Sequence, residues 1–97
     1  MKNKVVITGF GVVSPIGDDI NTFTSSLKSG KNGINQITLF DTSEYSVNIA
    51  AESAIDLEDY FEKKELNRLD RFTAFSLIAS EQAIKQANLL NHNIPFN

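Results

Sequence analysis

The sequence predicts an α/β fold that this chain does not complete by itself. Three observations lead to this prediction: an almost uninterrupted apolar run at residues 4–13, an amphipathic helical pattern at 18–30, and a long apolar helical pattern at 70–87. Of the 97 residues, 41% are hydrophobic and 22% charged, which is the composition of a globular protein. One small domain is possible at this length, but its independent stability would be marginal.

The run at residues 4–13 predicts a strand, because β-branched side chains dominate it. A run that is apolar on both faces is typical of a strand in the centre of an α/β sheet. Gly9 and Gly11 within it indicate either a bulge or the close approach of a neighbouring element. The Ser-Pro-Ile-Gly sequence at 14–17 then predicts a turn.

The middle of the chain predicts a helix, a loop and a short strand. Asp18 or Asp19 begins the helix, because a carboxylate there caps the first turn and interacts favourably with the helix dipole. Gly30 ends it, as glycine commonly does after the last turn of a helix. Residues 31–43 are expected to be mostly loop, and 46–52 a short strand.

Two further helices are predicted in the second half of the chain. The first is short and runs from Asp56 to about Phe61, and the second runs from Asp70 to about Ala87. Residues 72–80 carry no charge and are apolar around the whole helix axis, which is typical of a buried helix. The other predicted elements cannot cover a sheet on both faces and also surround this helix. We therefore expect further chain or a partner to cover them.

Composition excludes several classes of function. The net charge of −3 argues against a nucleic-acid binder, and the lack of cysteine removes thiolate metal sites and a Cys nucleophile. His92 is the only histidine and lies in the predicted polar loop or linker at 89–97, so we expect a solvated side chain, no metal site and no cofactor. No apolar run is long enough to span a bilayer and no complete signal peptide is present, which predicts a soluble, cytoplasmic protein.

The Gly9-Phe10-Gly11 sequence lies where a dinucleotide-binding loop would join a strand to a helix. That fingerprint requires a third glycine three residues later, where this chain has Ser14, and Pro15 occupies the phosphate loop. A structural role for the two glycines is therefore favoured.

A highly charged cluster at residues 62–71 allows two interpretations. It can be a solvated helix face with opposite charges three or four residues apart. It can also be a docking surface for an acidic partner, and on charge alone the solvated face is favoured. The candidate docking residues are Lys63, Lys64, Arg68 and Arg71.

The run Thr-Gly-Phe-Gly-Val-Val-Ser-Pro-Ile-Gly at residues 8–17 resembles the start of the β-ketoacyl-acyl carrier protein synthases, and within them most resembles the type II branch. Six further segments correspond to the family in the same order. They are Gly-Lys-Asn-Gly-Ile at 30–34, Phe-Asp-Thr-Ser at 40–43, Ala-Ala-Glu at 50–52, Lys-Glu at 64–65, Arg-Leu-Asp-Arg-Phe at 68–72 and the alanine-rich helix at 79–87.

The resemblance implies the amino-terminal part of a thiolase-like fold, layered α-β-α-β-α, with residues 1–97 forming a partial domain. It implies an acyltransferase that is a homodimer when complete and acts on acyl and malonyl thioesters of acyl carrier protein. In this family a Cys nucleophile at a helix N-terminus takes the acyl group, and two histidines and a lysine support the condensation. None of these positions falls in this sequence, so the chain alone is predicted to be inactive.

The resemblance also bears on the charged cluster. Lys64 and Arg68 correspond to positions at which family members hold the acidic carrier protein, whereas Asn67 stands where another basic residue is found. With this correspondence, the docking surface and the solvated face are equally favoured interpretations of the cluster. A non-catalytic interaction subunit, such as a chain-length-factor-like protein, is the alternative function, because such relatives share the amino-terminal pattern but lack the nucleophile.

Overall fold

The computed structural model describes residues 3–89 and contains three α-helices, one short 3-10 helix and two strands within them. Most elements lie close to where the sequence predicts them. In chain order they are α1 (Ile20–Ser29), β1 (Ile34–Gln36), β2 (Ile49–Ala51), the 3-10 helix (Leu57–Asp59), α2 (Lys63–Leu66) and α3 (Arg71–Ala87).

The capping residues confirm the predicted first helix. The Asp19 carboxylate accepts a hydrogen bond of 2.8 Å from the backbone N–H of Thr22, and this bond is the main cause of the lowered pKa of Asp19. Gly30 ends α1 in the left-handed conformation, with φ of 71°. Asp56 likewise caps the next predicted helix through the N–H of Glu58 at 2.9 Å, although this helix is a 3-10 helix and not an α-helix.

The segment 31–43, predicted to be a loop, contains a strand. β1 pairs with β2 in antiparallel register, with Ile34 opposite Ala51 and Gln36 opposite Ile49. β1 has no clear apolar alternation, so the prediction from the sequence missed it, and its pairing with β2 is what makes it a strand. The strand predicted at 46–52 is confirmed in a shorter form.

The prediction of a strand at residues 4–13 is wrong for the described part of the chain. These residues are not hydrogen-bonded to any strand among residues 3–89, and Val5 and Ile7 are 91% and 76% exposed. A strand requires ladder hydrogen bonds from a neighbouring strand, and residues 3–89 provide no such neighbour here. The turn predicted at 14–17 is confirmed, because Ser14 and Gly17 exchange backbone hydrogen bonds of 3.0 and 3.3 Å.

This opening segment packs against α3. A Cβ atom at Gly9 or Gly11 would overlap the backbone carbonyl oxygen of Ala83 or Ala79, which confirms the close approach predicted for the two glycines. The approach is close enough for a side chain of α3 to reach the backbone, because Gln86 Oε1 accepts a hydrogen bond of 2.6 Å from the N–H of Phe10.

The long helix α3 has the predicted length, but residues 3–89 bury only one side of it. Ala74 and Ile78 are buried, whereas Phe72 is 73% and Leu77 48% exposed. The prediction of a helix buried on all sides is therefore wrong for the described chain, because nothing in it covers Phe72, and Leu77 is only about half covered. No helix among residues 3–89 is both long and apolar enough to cross a membrane.

The dimensions of the molecule agree with this incomplete burial. Its radius of gyration is 17.4 Å, whereas a compact chain of this length has about 13 Å. Its accessible surface is 8161 Å², against roughly 5,500 Å² for a compact monomer of this size. The buried apolar residues among 3–89 are Ile55, Ala74 and Ile78.

Candidate functional site

Three of the four predicted docking residues lie together around α2. Lys63 and Lys64 are the first two residues of this helix, and Arg68 follows its end. The backbone N–H of Glu62 donates to the Glu65 carboxylate at 3.4 Å at the start of α2. This bond helps to define where the short helix begins, so it positions both lysines.

Lys64 and Arg68 border a groove between α2 and α3 with a volume of about 490 Å³. The groove is open to solvent and combines an apolar floor with charged walls. Its lining residues are the apolar Phe61, Leu69 and Leu77, the acidic Glu62 and Glu65, and the basic Lys64 and Arg68.

The two basic residues of the groove are available to a ligand. Among residues 3–89, neither Lys64 nor Arg68 takes part in an ion pair. Lys63 is 4.0 Å from the Glu58 carboxylate, and both side chains are largely exposed, so this pair is weak and can open. Acidic side chains slightly outnumber basic ones between residues 58 and 71. The arrangement therefore gives a local basic edge and not a strongly positive surface.

Arg71 lies apart from the other three and has partners of its own. Its Nη2 donates to the backbone carbonyl of Ser53 at 2.9 Å, and its guanidinium carbon lies 4.8 Å from the ring centre of Phe75. Arg71 and Glu52 border a second cavity of about 390 Å³ beside the two strands. These contacts give Arg71 a structural role, since it links the start of α3 to the segment after β2.

The apolar floor of the groove could not be predicted from the sequence. Leu77 lies on α3 and Phe61 precedes α2, and only the folded chain brings them to the same groove. The sequence analysis also did not single out Gln82 and Gln86, whose side chains contact the opening segment. Their spacing of four residues on α3 was the available signal, because residues four apart in a helix lie on the same face.

Residues 3–89 contain no group of three His, Cys, Asp or Glu side chains that could hold a metal ion. His92 and most of the predicted linker at 89–97 lie outside the described residues.

Comparisons with known proteins agree on one family. Residues 2–96 match the model for the β-ketoacyl synthase N-terminal domain. The chain is 46% identical over 92 residues to 3-oxoacyl-[acyl-carrier-protein] synthase 2 of Staphylococcus aureus strain COL, covering 93% of this chain and 22% of that protein. It is 39% identical over 90 residues to the synthase of the same name from Synechocystis, covering 92% of this chain and 22% of that protein.

A solved structure, the ishigamide ketosynthase/chain length factor, superposes with a TM-score of 0.75 and 31% identity, over 86% of this chain and 21% of that one. The chain belongs to the β-ketoacyl synthase family, and its structure is that of a ketosynthase-like, thiolase-like fold. It spans about a fifth of the length of the curated relatives that it matches.

Proposed function

We propose that this chain forms the amino-terminal part of a 3-oxoacyl-acyl carrier protein synthase in fatty-acid biosynthesis. The complete enzyme condenses an acyl thioester with malonyl-acyl carrier protein and releases carbon dioxide. The observation that carries the proposal is the 46% identity to a synthase of that name across 93% of the chain. The packing of Gly9 and Gly11 on α3 supports it, because these glycines belong to the run that resembles the family.

In this proposal the chain supplies scaffold and part of the carrier-protein dock, and the Cys and two His lie elsewhere in the complete enzyme. Residues 1–97 alone are therefore expected to form no ketoacyl product. The complete protein is proposed to be a cytoplasmic homodimer that needs no cofactor. We also propose that the complete protein has the α-β-α-β-α layers expected for its family.

The dock is proposed to consist of Lys63, Lys64 and Arg68. It binds an acidic carrier protein through charge, and the apolar floor of the groove adds contact area. Arg71 was predicted as a fourth docking residue, but its hydrogen bond to Ser53 and its stacking on Phe75 favour a structural role. Asn67 lies between the basic positions and lowers the local positive charge, which predicts a dock of modest strength.

The test uses the complete protein and the variants Lys64→Ala and Arg68→Ala. We expect the KM for acyl- and malonyl-carrier protein to rise about two- to fivefold in each, because each loses one exposed ionic contact. The kcat with substrates carried on a small pantetheine thiol should not change. Lys28→Ala, at the exposed end of α1, removes one positive charge and serves as the matched control.

The outcomes separate the two parts of the proposal. Equal KM values in all variants would rule out the dock and leave the synthase proposal intact. A complete wild-type protein that forms no ketoacyl product would rule out the synthase itself. The alternative, a non-catalytic chain-length-factor-like subunit, is disfavoured by the names of the curated relatives. A substituted nucleophile in the complete protein would nevertheless support it.

A further inference from the structure

We propose that Asn32 is the main site of spontaneous deamidation among residues 3–89, and that the product disturbs the contact between the loop before β1 and the turn at 14–17. Asn32-Gly33 is the only Asn-Gly pair in the sequence. Asn32 lies in the exposed connection between α1 and β1. The inference does not depend on the proposed function, since it concerns the chemistry of the chain itself.

The reaction requires only water. The backbone nitrogen of Gly33 attacks Cγ of Asn32, and the new C–N bond closes a five-membered succinimide ring. The bond between Cγ and Nδ2 breaks, the Gly33 amide proton is lost to solvent, and Nδ2 leaves as ammonia. Water then opens the ring at one of its two carbonyl groups, which gives aspartate or isoaspartate. Glycine at the second position favours the attack because it has no Cβ to obstruct the approach.

The local geometry prepares Asn32 for this attack. The backbone N–H of Ile34 donates to Asn32 Oδ1 at 2.9 Å, which forms an Asx turn and folds the side chain back toward the Gly33 peptide group. The same hydrogen bond withdraws electrons from the amide carbonyl, so Cγ is more easily attacked. Because Asn32 is exposed, water can reach the succinimide and open it.

Other asparagines in the same part of the molecule lack this combination. Asn35 lies within β1 opposite Ala50 and is followed by Gln36. Asn48 precedes the β-branched Ile49, whose side chain obstructs the backbone nitrogen.

Packing explains why a glycine stands at position 33 despite this reactivity. A Cβ atom there would lie 2.8 Å from Pro15 Cβ and 3.0 Å from Ile16 Cγ2, so a larger residue would push the two loops apart. Isoaspartate adds one methylene to the backbone directly before Gly33, and aspartate adds a negative charge beside it. The backbone change shifts Gly33 relative to Pro15 and Ile16, so the reaction alters the contact that requires glycine.

To test this, the complete protein is incubated at mildly alkaline pH and digested. Deamidation at each asparagine is then measured by mass spectrometry of the peptides. We expect the gain of about one mass unit at Asn32 to appear roughly ten times faster than at Asn35 or Asn48, since glycine follows only Asn32. Isoaspartate is measured in parallel by enzymatic methylation.

The control variant is Asn32→Ser, whose hydroxyl can still accept from the N–H of Ile34 but which has no amide to lose. The isoaspartate signal of the peptide that contains position 32 should disappear in this variant. Comparable rates at Asn32, Asn35 and Asn48, or an undiminished isoaspartate signal in Asn32→Ser, would overturn the proposal.

Discussion

At the scale of single residues, Glu52 shows how one carboxylate organises a connection. It follows β2 and accepts hydrogen bonds from the N–H and hydroxyl of Thr38, at 3.0 and 3.1 Å, and from the N–H of Leu39, at 3.1 Å. The bond from the Thr38 N–H is the main cause of the lowered pKa of Glu52, and the charge of Arg71 contributes least. Glu52 thereby holds the chain that leaves β1 close to the chain that leaves β2.

The lowered pKa predicts how stability depends on pH. The folded state favours the ionised form of Glu52. The carboxylate therefore stabilises the fold fully when the pH is above 4.5, the ordinary pKa of a glutamate. This stabilisation is lost as the pH falls through the lowered pKa of Glu52 in the folded state. Glu52→Gln should therefore lower the unfolding temperature at neutral pH and lose less stability on acidification than the wild type. Thermal unfolding across this pH range measures both effects.

Glu44→Gln is the matched control, because Glu44 is exposed in the connection between β1 and β2. If Glu44→Gln and Glu52→Gln gave the same unfolding temperatures at every pH, the hydrogen bonds of Glu52 would contribute nothing specific.

At the scale of elements, two glutamines of α3 take the place of a neighbouring strand. Gln86 accepts from the N–H of Phe10, and Gln82 accepts from the N–H of Val12 at 3.0 Å. Alternate N–H groups of an extended chain point to the same side, and two side chains one helical turn apart can meet them. Gln82 also donates to the carbonyl of Asp18, so it joins three segments of the chain.

This arrangement predicts an order of effects on stability. Gln82→Ala removes two partly buried hydrogen bonds and should lower the free energy of unfolding of the complete protein by about 1–3 kcal/mol. Gln86→Ala removes one exposed bond and should cost about 0.5–1 kcal/mol. Gln36→Ala, at an exposed position of β1, is the control and should cost least. Urea denaturation measures all three, and a smaller effect of Gln82→Ala than of Gln86→Ala would contradict the prediction.

The same elements show how far the sequence predicts the structure. The ends of α1 follow from local signals, since Asp19 and Gly30 act within their own helix turns. α3 begins after Asp70 as predicted, although the Asp70 side chain makes no capping hydrogen bond. β1 and the apolar floor of the groove could not be predicted because they depend on pairing and packing between distant segments. The basic residues of the site were identified from charge, but only the contacts of Arg71 with Ser53 and Phe75 separate it from the other three.

At the scale of the whole molecule, the described chain leaves much apolar surface in contact with water. Val5, Ile7, Phe40 and Phe72 are each more than half exposed. Extensive apolar exposure of this kind is typical of surfaces that other protein covers. In the proposed synthase the rest of the enzyme covers it, in agreement with the expectation from the sequence that other chain surrounds α3.

Hydrogen exchange tests this view of α3. In the isolated 97-residue chain, the amides of residues 72–87 should exchange quickly, because few buried contacts hold the helix in place. In the complete protein the same amides should exchange at least about a hundredfold more slowly. Strong protection in the isolated chain, with a monomer shown by sedimentation, would contradict the prediction.

The bonds from Gln82 and Gln86 also have a consequence for the order of events during synthesis. Each joins residues at least 70 positions apart in the sequence. Residues 3–13 leave the ribosome before their partners on α3, which emerge only after most of this sequence has been translated. Until then the segment has no helix to pack against, so the nascent chain exposes the short β-prone run Val5-Val6-Ile7, to which chaperones can bind.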